Sequence, residues 1–207
     1  MSLRLLGWRR EVARLYADVR AAADPAAGWE SWRAGRDRLF AKHPDSPLDP
    51  SARAAFTGLP FPAYDPALRF VTELDSDVER IRIEVPTAGD GIVPFVRIGR
   101  VALGQLGGLD VWWLDSYGGG IFVPLRDGSS GATQGSARSY GGGRYVLDTV
   151  KGADLGSADA QLVVDLNFSY HPSCAYNPEW TCPLAPDGNR LTATVAVGEQ
   201  LPPGGWY

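Results

Sequence analysis

The chain has 207 residues with 20 basic against 24 acidic side chains, net charge −4, and the signs are interspersed with no basic run. A phosphate backbone needs such a run, so nucleic acid is excluded as an expected partner. Twenty-five glycines, 16 prolines, seven tryptophans and eight tyrosines describe a turn-rich chain with large aromatic anchors, which suits antiparallel β structure better than a helical bundle.

No run of about 18 apolar residues occurs, so no transmembrane helix and no membrane partner are expected. The opening MSLRLLGWRREV carries neither the apolar stretch nor the cleavage site of a signal peptide. A soluble cytoplasmic protein is the expectation, with its two cysteines reduced. One core suits this length: a helical segment over residues 1–44, a proline-rich connector over 45–78 and a β core over 79–207.

Trp8, Val12, Leu15, Tyr16 and Val19 recur at helical spacing among Arg9, Arg10, Arg14, Asp18 and Arg20, predicting an amphipathic helix over 8–23. Asp24 before Pro25 reads as an N-cap with proline at the first helical position. Trp29, Trp32, Arg36, Leu39 and Phe40 continue the period to His43 and Pro44. The tryptophan stripe is read as packing on its own domain rather than on a partner. Beyond it, frequent prolines through Phe70 prevent long regular elements.

From Arg80 the period becomes two: Arg80, Arg82 and Glu84 alternate with Ile81, Ile83 and Val85. Strands are predicted at 80–85, 93–98, 100–106, 109–115, 120–125, 144–150, 161–168 and 191–197. About eight short strands separated by glycine turns predict an antiparallel β-barrel or sandwich with the two N-terminal α-helices packed on it.

The chain echoes itself, reading SYGGGIFV from Ser116 and SYGGGRYV from Ser139. The first copy reads as a hairpin entry. In the second, Arg144 beside free backbone N–H groups is a candidate grip for a carboxylate or phosphate; no nucleotide P-loop follows, since its Gly-Lys-Ser/Thr ending is missing. In the strand at 161–168, Leu162, Val164, Leu166 and Phe168 form a core face. Asp165 and Asn167, with Ser169 and His171 in line, form either a solvated outer face or the polar lining of a barrel mouth.

His171, Cys174 and Cys182 are spaced H-x2-C-x7-C. Imidazole and thiolate suit zinc, with Asp165 or Glu199 to complete a tetrahedral set, but the spacing is not that of tight paired-ligand sites. A disulfide is a second reading; reduced packing cysteines are the one adopted. Cys174 as nucleophile with His171 as base requires both on one side of the turn at Pro172. No Gly-x-Ser-x-Gly occurs, so a serine hydrolase of that type is not expected.

The series Tyr140-Gly-Gly-Gly-Arg144-Tyr145, Asp165-Leu-Asn167, Pro172-Ser-Cys174-Ala-Tyr176-Asn177, Cys182-Pro-Leu-Ala-Pro186, Asn189-Arg-Leu191 and Gly198-Glu199 resembles a widespread prokaryotic family known only as a domain of unknown function. Trp32 to Arg38, His43 to Leu48 and Phe56 to Phe70 resemble its N-terminal half. The resemblance covers nearly the whole chain and implies that Arg144, Asp165, Asn167, Cys174, Cys182, Asn189 and Glu199 belong to the family motif. The chain departs from it at His171, where asparagine is frequent, and at Gly188, where glutamate is.

Three roles fit these residues. The first is binding of a small polar or anionic molecule in a barrel pocket near Arg144 and Asp165, with Tyr140, Arg144, Asp165, Asn167, Tyr176 and Asn189 as ligand-binding residues; a flavin-binding barrel is a variant. The second is a metal-assisted hydrolase using Asp165, His171, Cys174 and Cys182 as ligands, with Asp165, His171 and Glu199 as catalytic candidates. The third is a non-catalytic interaction module. Neither a cofactor nor an oligomeric state is specified by these residues.

Overall fold

The computed structural model describes residues 3–87 and 91–206. Helix α1 spans Leu3–Ala21 and α2 spans Pro25–Lys42. The Asp24 carboxylate accepts from the N–H groups of Ala26 and Ala27, and Pro25 sits at the first helical position, as the sequence predicts. Trp29 and Trp32 are buried in the main core, and the Trp29 indole N–H donates to Asn167 O at 3.0 Å. The tryptophan stripe of α2 therefore packs inward.

The predicted connector holds regular structure of its own: a short helix α3 at Pro50–Ala54, a 3₁₀ turn at Pro66–Leu68 and strand β1 at Arg69–Glu73. β1 escaped prediction because its five residues neither alternate nor stand clear of prolines. The remaining strands are β2 Arg82–Thr87, β3 Gly91–Ala102, β4 Gly108–Leu114, β5 Ile121–Leu125, β6 Arg144–Asp148, β7 Ser157–Ala158 and β8 Gln161–Asp165.

They form two antiparallel sheets, a three-stranded one in the order β1-β8-β7 and a five-stranded one in the order β2-β3-β4-β5-β6. Neither closes on itself, so of the expected antiparallel barrel or sandwich the antiparallel strands are present and a closed barrel is not. The two sheets meet through single bridges, Asp75 with Arg100 and Tyr145 with Tyr170. Ladders stop short of closure because a 3₁₀ turn at Leu166–Phe168 lifts the chain off the sheet after Asp165.

At the other junction the two predicted strands 93–98 and 100–106 are one strand, β3, with a register shift between Arg97 and Gly99. A side chain at Gly99 would come within 2.7 Å of Asp75 O. Glycine there lets Asp75 and Arg100 exchange two backbone hydrogen bonds.

Residues 191–197, predicted as a strand, form no ladder. Their carbonyls go elsewhere: Arg144 Nη1 donates to Val197 O and Nη2 to Val195 O, while Val195 N–H donates to Asp127 Oδ2. Side chains thus satisfy several of the backbone groups that a neighbouring strand would otherwise have taken, while Leu191 N–H and Ala193 O bond to the backbone of Arg126 and Gly128.

The helices cover one side of the assembly. Leu15, Tyr16, Trp29, Trp32 and Leu39 pack on Val101, Val111, Val123, Val146, Leu166 and Phe168. A second cluster, Phe95, Trp112, Phe122 and Tyr145, contains the partly buried Cys182 at its edge. The five-stranded sheet is therefore buried on both faces around β4 to β6, which accounts for their continuous apolar runs.

Candidate functional site

Between the helix pair, β6 and the segment Tyr170–Ser173 lies a cavity of about 120 Å³. Tyr16, Trp32, Phe40, Tyr145 and Tyr170 make its wall aromatic, while Arg36, Asp148, Lys151, His171 and Cys182 add polar groups. Drug-sized pockets start at about 300 Å³, whereas an apolar cavity of about 150 Å³ admits benzene. This cavity suits a molecule built around one small ring or chain.

Arg36 is its most unusual wall. The guanidinium carbon lies 4.7 Å from the Tyr170 ring centre and 4.8 Å from that of Phe40, so its faces meet aromatic rings. Nη2 donates to Glu199 Oε2 at 3.0 Å and to the Tyr176 hydroxyl at 3.2 Å. Nε–H is buried with no acceptor among the described residues, and the buried Tyr16 hydroxyl, beside the Trp32 indole, likewise makes no hydrogen bond of good geometry there.

Behind this wall Glu199 is fully buried and accepts from Arg36, from the Tyr176 hydroxyl and from the His171 backbone N–H. Burial alone would raise its pKa, but Arg36 and His171 outweigh burial and hold it at about 2. Gly198, with φ of +76°, turns the chain to aim Glu199 inward; a Cβ there would lie 2.0 Å from Ser169 Oγ. His171 accepts the Tyr140 N–H on Nε2 at 3.1 Å, which leaves its proton on Nδ1, 3.5 Å from Glu199 Oε1. Burial lowers the His171 pKa, so the ring is neutral at neutral pH. Glu199 is thus an ionised anchor whose oxygens are engaged within the fold.

The other predicted residues fall in separate places. The guanidinium of Arg144 is fully buried, bonded to Asp127 and to the carbonyls of Val195 and Val197. Asn189 receives the Trp112 indole N–H and donates to the carbonyls of Asp110 and Pro124. Asp165 accepts from the Tyr64 hydroxyl and from the backbone N–H and side-chain amide of Asn167, whose amide also ties down Asp65. Asp165, Asn167, Ser169 and His171 are all buried, so they are no solvated face. Of the predicted residues only His171 and Cys182 border the cavity; Tyr140 and Tyr176 support His171 and Glu199 from behind.

Among the described residues no three His, Cys, Asp or Glu side chains converge as metal ligands. Asp165 serves the three-stranded sheet through Tyr64, while Cys174 and Cys182 carry no disulfide. The set Asp165, His171, Cys174 and Cys182 is therefore not brought together.

Sequence reasoning missed Tyr16, Arg36, Asp148, Lys151 and Tyr170 as site residues. Arg36 carried a signal, because it is a charged residue on the apolar face of α2 between Trp32 and Phe40. Asp148 ends the apolar strand β6; burial raises its pKa against the pull of Lys151, whose Nζ lies 3.7 Å away.

A family model described as a protein of unknown function, DUF1684, matches residues 54–200. The chain belongs to the DUF1684 family. Of the elements bordering the cavity, the DUF1684 match takes in β6, Tyr170–Ser173 and Cys182, while α1 and α2 lie outside it. The chain is also similar to an uncharacterized protein of Haloarcula marismortui solved by solution NMR. The two share 28% identity and a TM-score of 0.59, over 84% of this chain and 92% of that one. No protein of curated function matches the chain. No helix among the described residues is long and apolar enough to cross a membrane.

Proposed function

We propose that this protein binds a small molecule carrying a carbonyl or carboxylate on an apolar or aromatic body, in the cavity walled by Tyr16, Arg36, Tyr170 and His171. The observation that carries the reading is that Arg36 Nε–H and the Tyr16 hydroxyl, buried without a hydrogen bond of good geometry among the described residues, belong to two residues that border the cavity. A buried donor left without a partner costs about 1–3 kcal/mol. An acceptor in the cavity removes both penalties while the aromatic rings take up its apolar body. Lys151, half exposed beside Asp148, adds positive charge at the border. Arg144, bound to Asp127 and to the carbonyls of Val195 and Val197, does not border the cavity, so the anion contact in this reading is Arg36. A cytoplasmic setting belongs to the same proposal.

Titrating the protein with benzoate, acetate and benzyl alcohol, followed by amide NMR and thermal unfolding, tests it. Benzoate should perturb amides of α1, α2 and residues 170–173 and raise the melting temperature. Tyr16→Phe removes a hydrogen bond of about 0.5–1.5 kcal/mol and should weaken binding about 2- to 12-fold. If none of the three compounds perturbs these amides, the reading fails.

A further inference from the structure

The cavity is bordered by two opposite charges that do not neutralise each other. Arg36 and Asp148 both line it. Among the described residues, however, Arg36 pairs with Glu199 at 3.0 Å and Asp148 with Lys151 at 3.7 Å, and no ion pair joins Arg36 to Asp148. Aromatic rings connect the two ends. The Tyr170 ring centre lies 4.7 Å from the Arg36 guanidinium carbon and 5.8 Å from the ring of Tyr145, which stands on β6 ahead of Asp148.

Asp148 lacks a close cation. Its side chain is 9% exposed, whereas that of Lys151 is 47% exposed and its Nζ stands beyond hydrogen-bond reach, so water screens much of their attraction. Burial accordingly raises the Asp148 pKa in spite of Lys151. Glu199 cannot take the same part toward a ligand, because its oxygens already accept from Arg36, the Tyr176 hydroxyl and the His171 N–H.

We propose that the ligand of this cavity is zwitterionic, a small amino acid whose carboxylate meets Arg36 and the Tyr16 hydroxyl and whose ammonium meets Asp148. The inference rests on the binding function proposed above and adds a second charge to its ligand. A carboxylate without an amine enters facing Asp148, like charge against like. An ammonium on the same molecule removes that repulsion and gives Asp148 a partner shielded from water, and the aromatic wall favours the same cation. The volume of about 120 Å³ admits only a short carbon skeleton between the two charges.

Butyrate, 2-aminobutyrate and 4-aminobutyrate share one skeleton and test this when titrated against the wild-type chain and Asp148→Asn, followed by amide NMR. In the wild type at least one amino compound should bind about tenfold more tightly than butyrate, as a charge-assisted hydrogen bond to a buried carboxylate implies. In Asp148→Asn, with circular dichroism confirming the fold, that advantage should vanish, and butyrate should bind more tightly than to the wild type. Lys151→Gln, at a half-exposed position, removes the competing cation and should widen the advantage. If both amino compounds bind the wild type no better than butyrate does, the zwitterion is overturned while the carboxylate reading stands. If none of the three perturbs the amides around the cavity, both fall. An advantage that persists in folded Asp148→Asn, or narrows in Lys151→Gln, overturns the assignment of the ammonium to Asp148.

Discussion

Arg144 and Asp127 form an ion pair in which neither side chain is exposed to solvent, with Nη2 3.1 Å from Oδ1. The pair joins β6 to the non-ladder segment 191–197. Arg144 holds the carbonyls of Val195 and Val197, and Asp127 holds the Val195 N–H and the Ser129 hydroxyl. Burial lowers the Arg144 pKa against the pull of Asp127, so the positive charge depends on its partner.

Removing one member of such a pair leaves an uncompensated buried charge, which costs about 3–5 kcal/mol. Asp127→Ala is expected to lose that much in urea unfolding while the urea dependence stays unchanged. A loss under about 1 kcal/mol would mean that the pair is not the clasp described here.

His171 gives the protein a pH response. Its pKa is lowered in the folded state by burial, so on acidification the unfolded chain takes up the proton first. The stability it contributes is fully present above the ordinary histidine value of about 6.5 and is lost as pH falls below it, by up to about 1.4 kcal/mol per pH unit. Asp148 and Asp165, whose pKa values burial raises, act in the opposite sense at lower pH. Comparison with His171→Asn cancels their contribution. Between about pH 6.5 and pH 5 the wild type should lose stability faster than the variant, and parallel curves would contradict the assignment.

Gly198→Ala should be costly out of proportion to the added methyl. The φ of +76° disfavours any L side chain, and the new Cβ would meet Ser169 Oγ and two backbone carbonyls. The left-handed conformation alone costs about 1–2 kcal/mol, and the contact with backbone atoms adds to it. Because Glu199 follows directly, the variant should also disturb the Tyr176 and His171 side-chain NMR signals. A stability change within about 0.5 kcal/mol would show that the turn relaxes freely.

The helices were legible because each signal was local: Asp24 and Pro25 cap α2 through atoms within three residues, and Leu15, Tyr16, Trp29 and Trp32 bury the stripe that their spacing draws. Seven of the eight predicted strands survive with shifted ends as six, two of them merged into β3 and that at 161–168 cut short at Asp165. Two elements were read wrongly. β1 was hidden among prolines, and 191–197 looks like a strand yet gives its backbone groups to Arg144 and Asp127. Arg144, Asp165, Asn167, His171, Asn189 and Glu199, singled out as ligand-binding or catalytic candidates, are all removed from solvent.

Taken alone, the sequence determined the helical pair and the antiparallel strand content and pointed to a family of unknown function, because capping and periodicity act over short chain distances. Tertiary structure decided which polar residues serve the fold and which face the cavity. Arg144 and Arg36 are both charged residues among apolar neighbours, and nothing local separates them. The difference arises over long chain separations, where Arg144 meets Asp127 and the carbonyls of the last segment while Arg36 meets Glu199 and the Tyr176 hydroxyl at the border of the cavity. Satisfying a buried donor depends on what the rest of the chain brings to it, and only the packed fold supplies that.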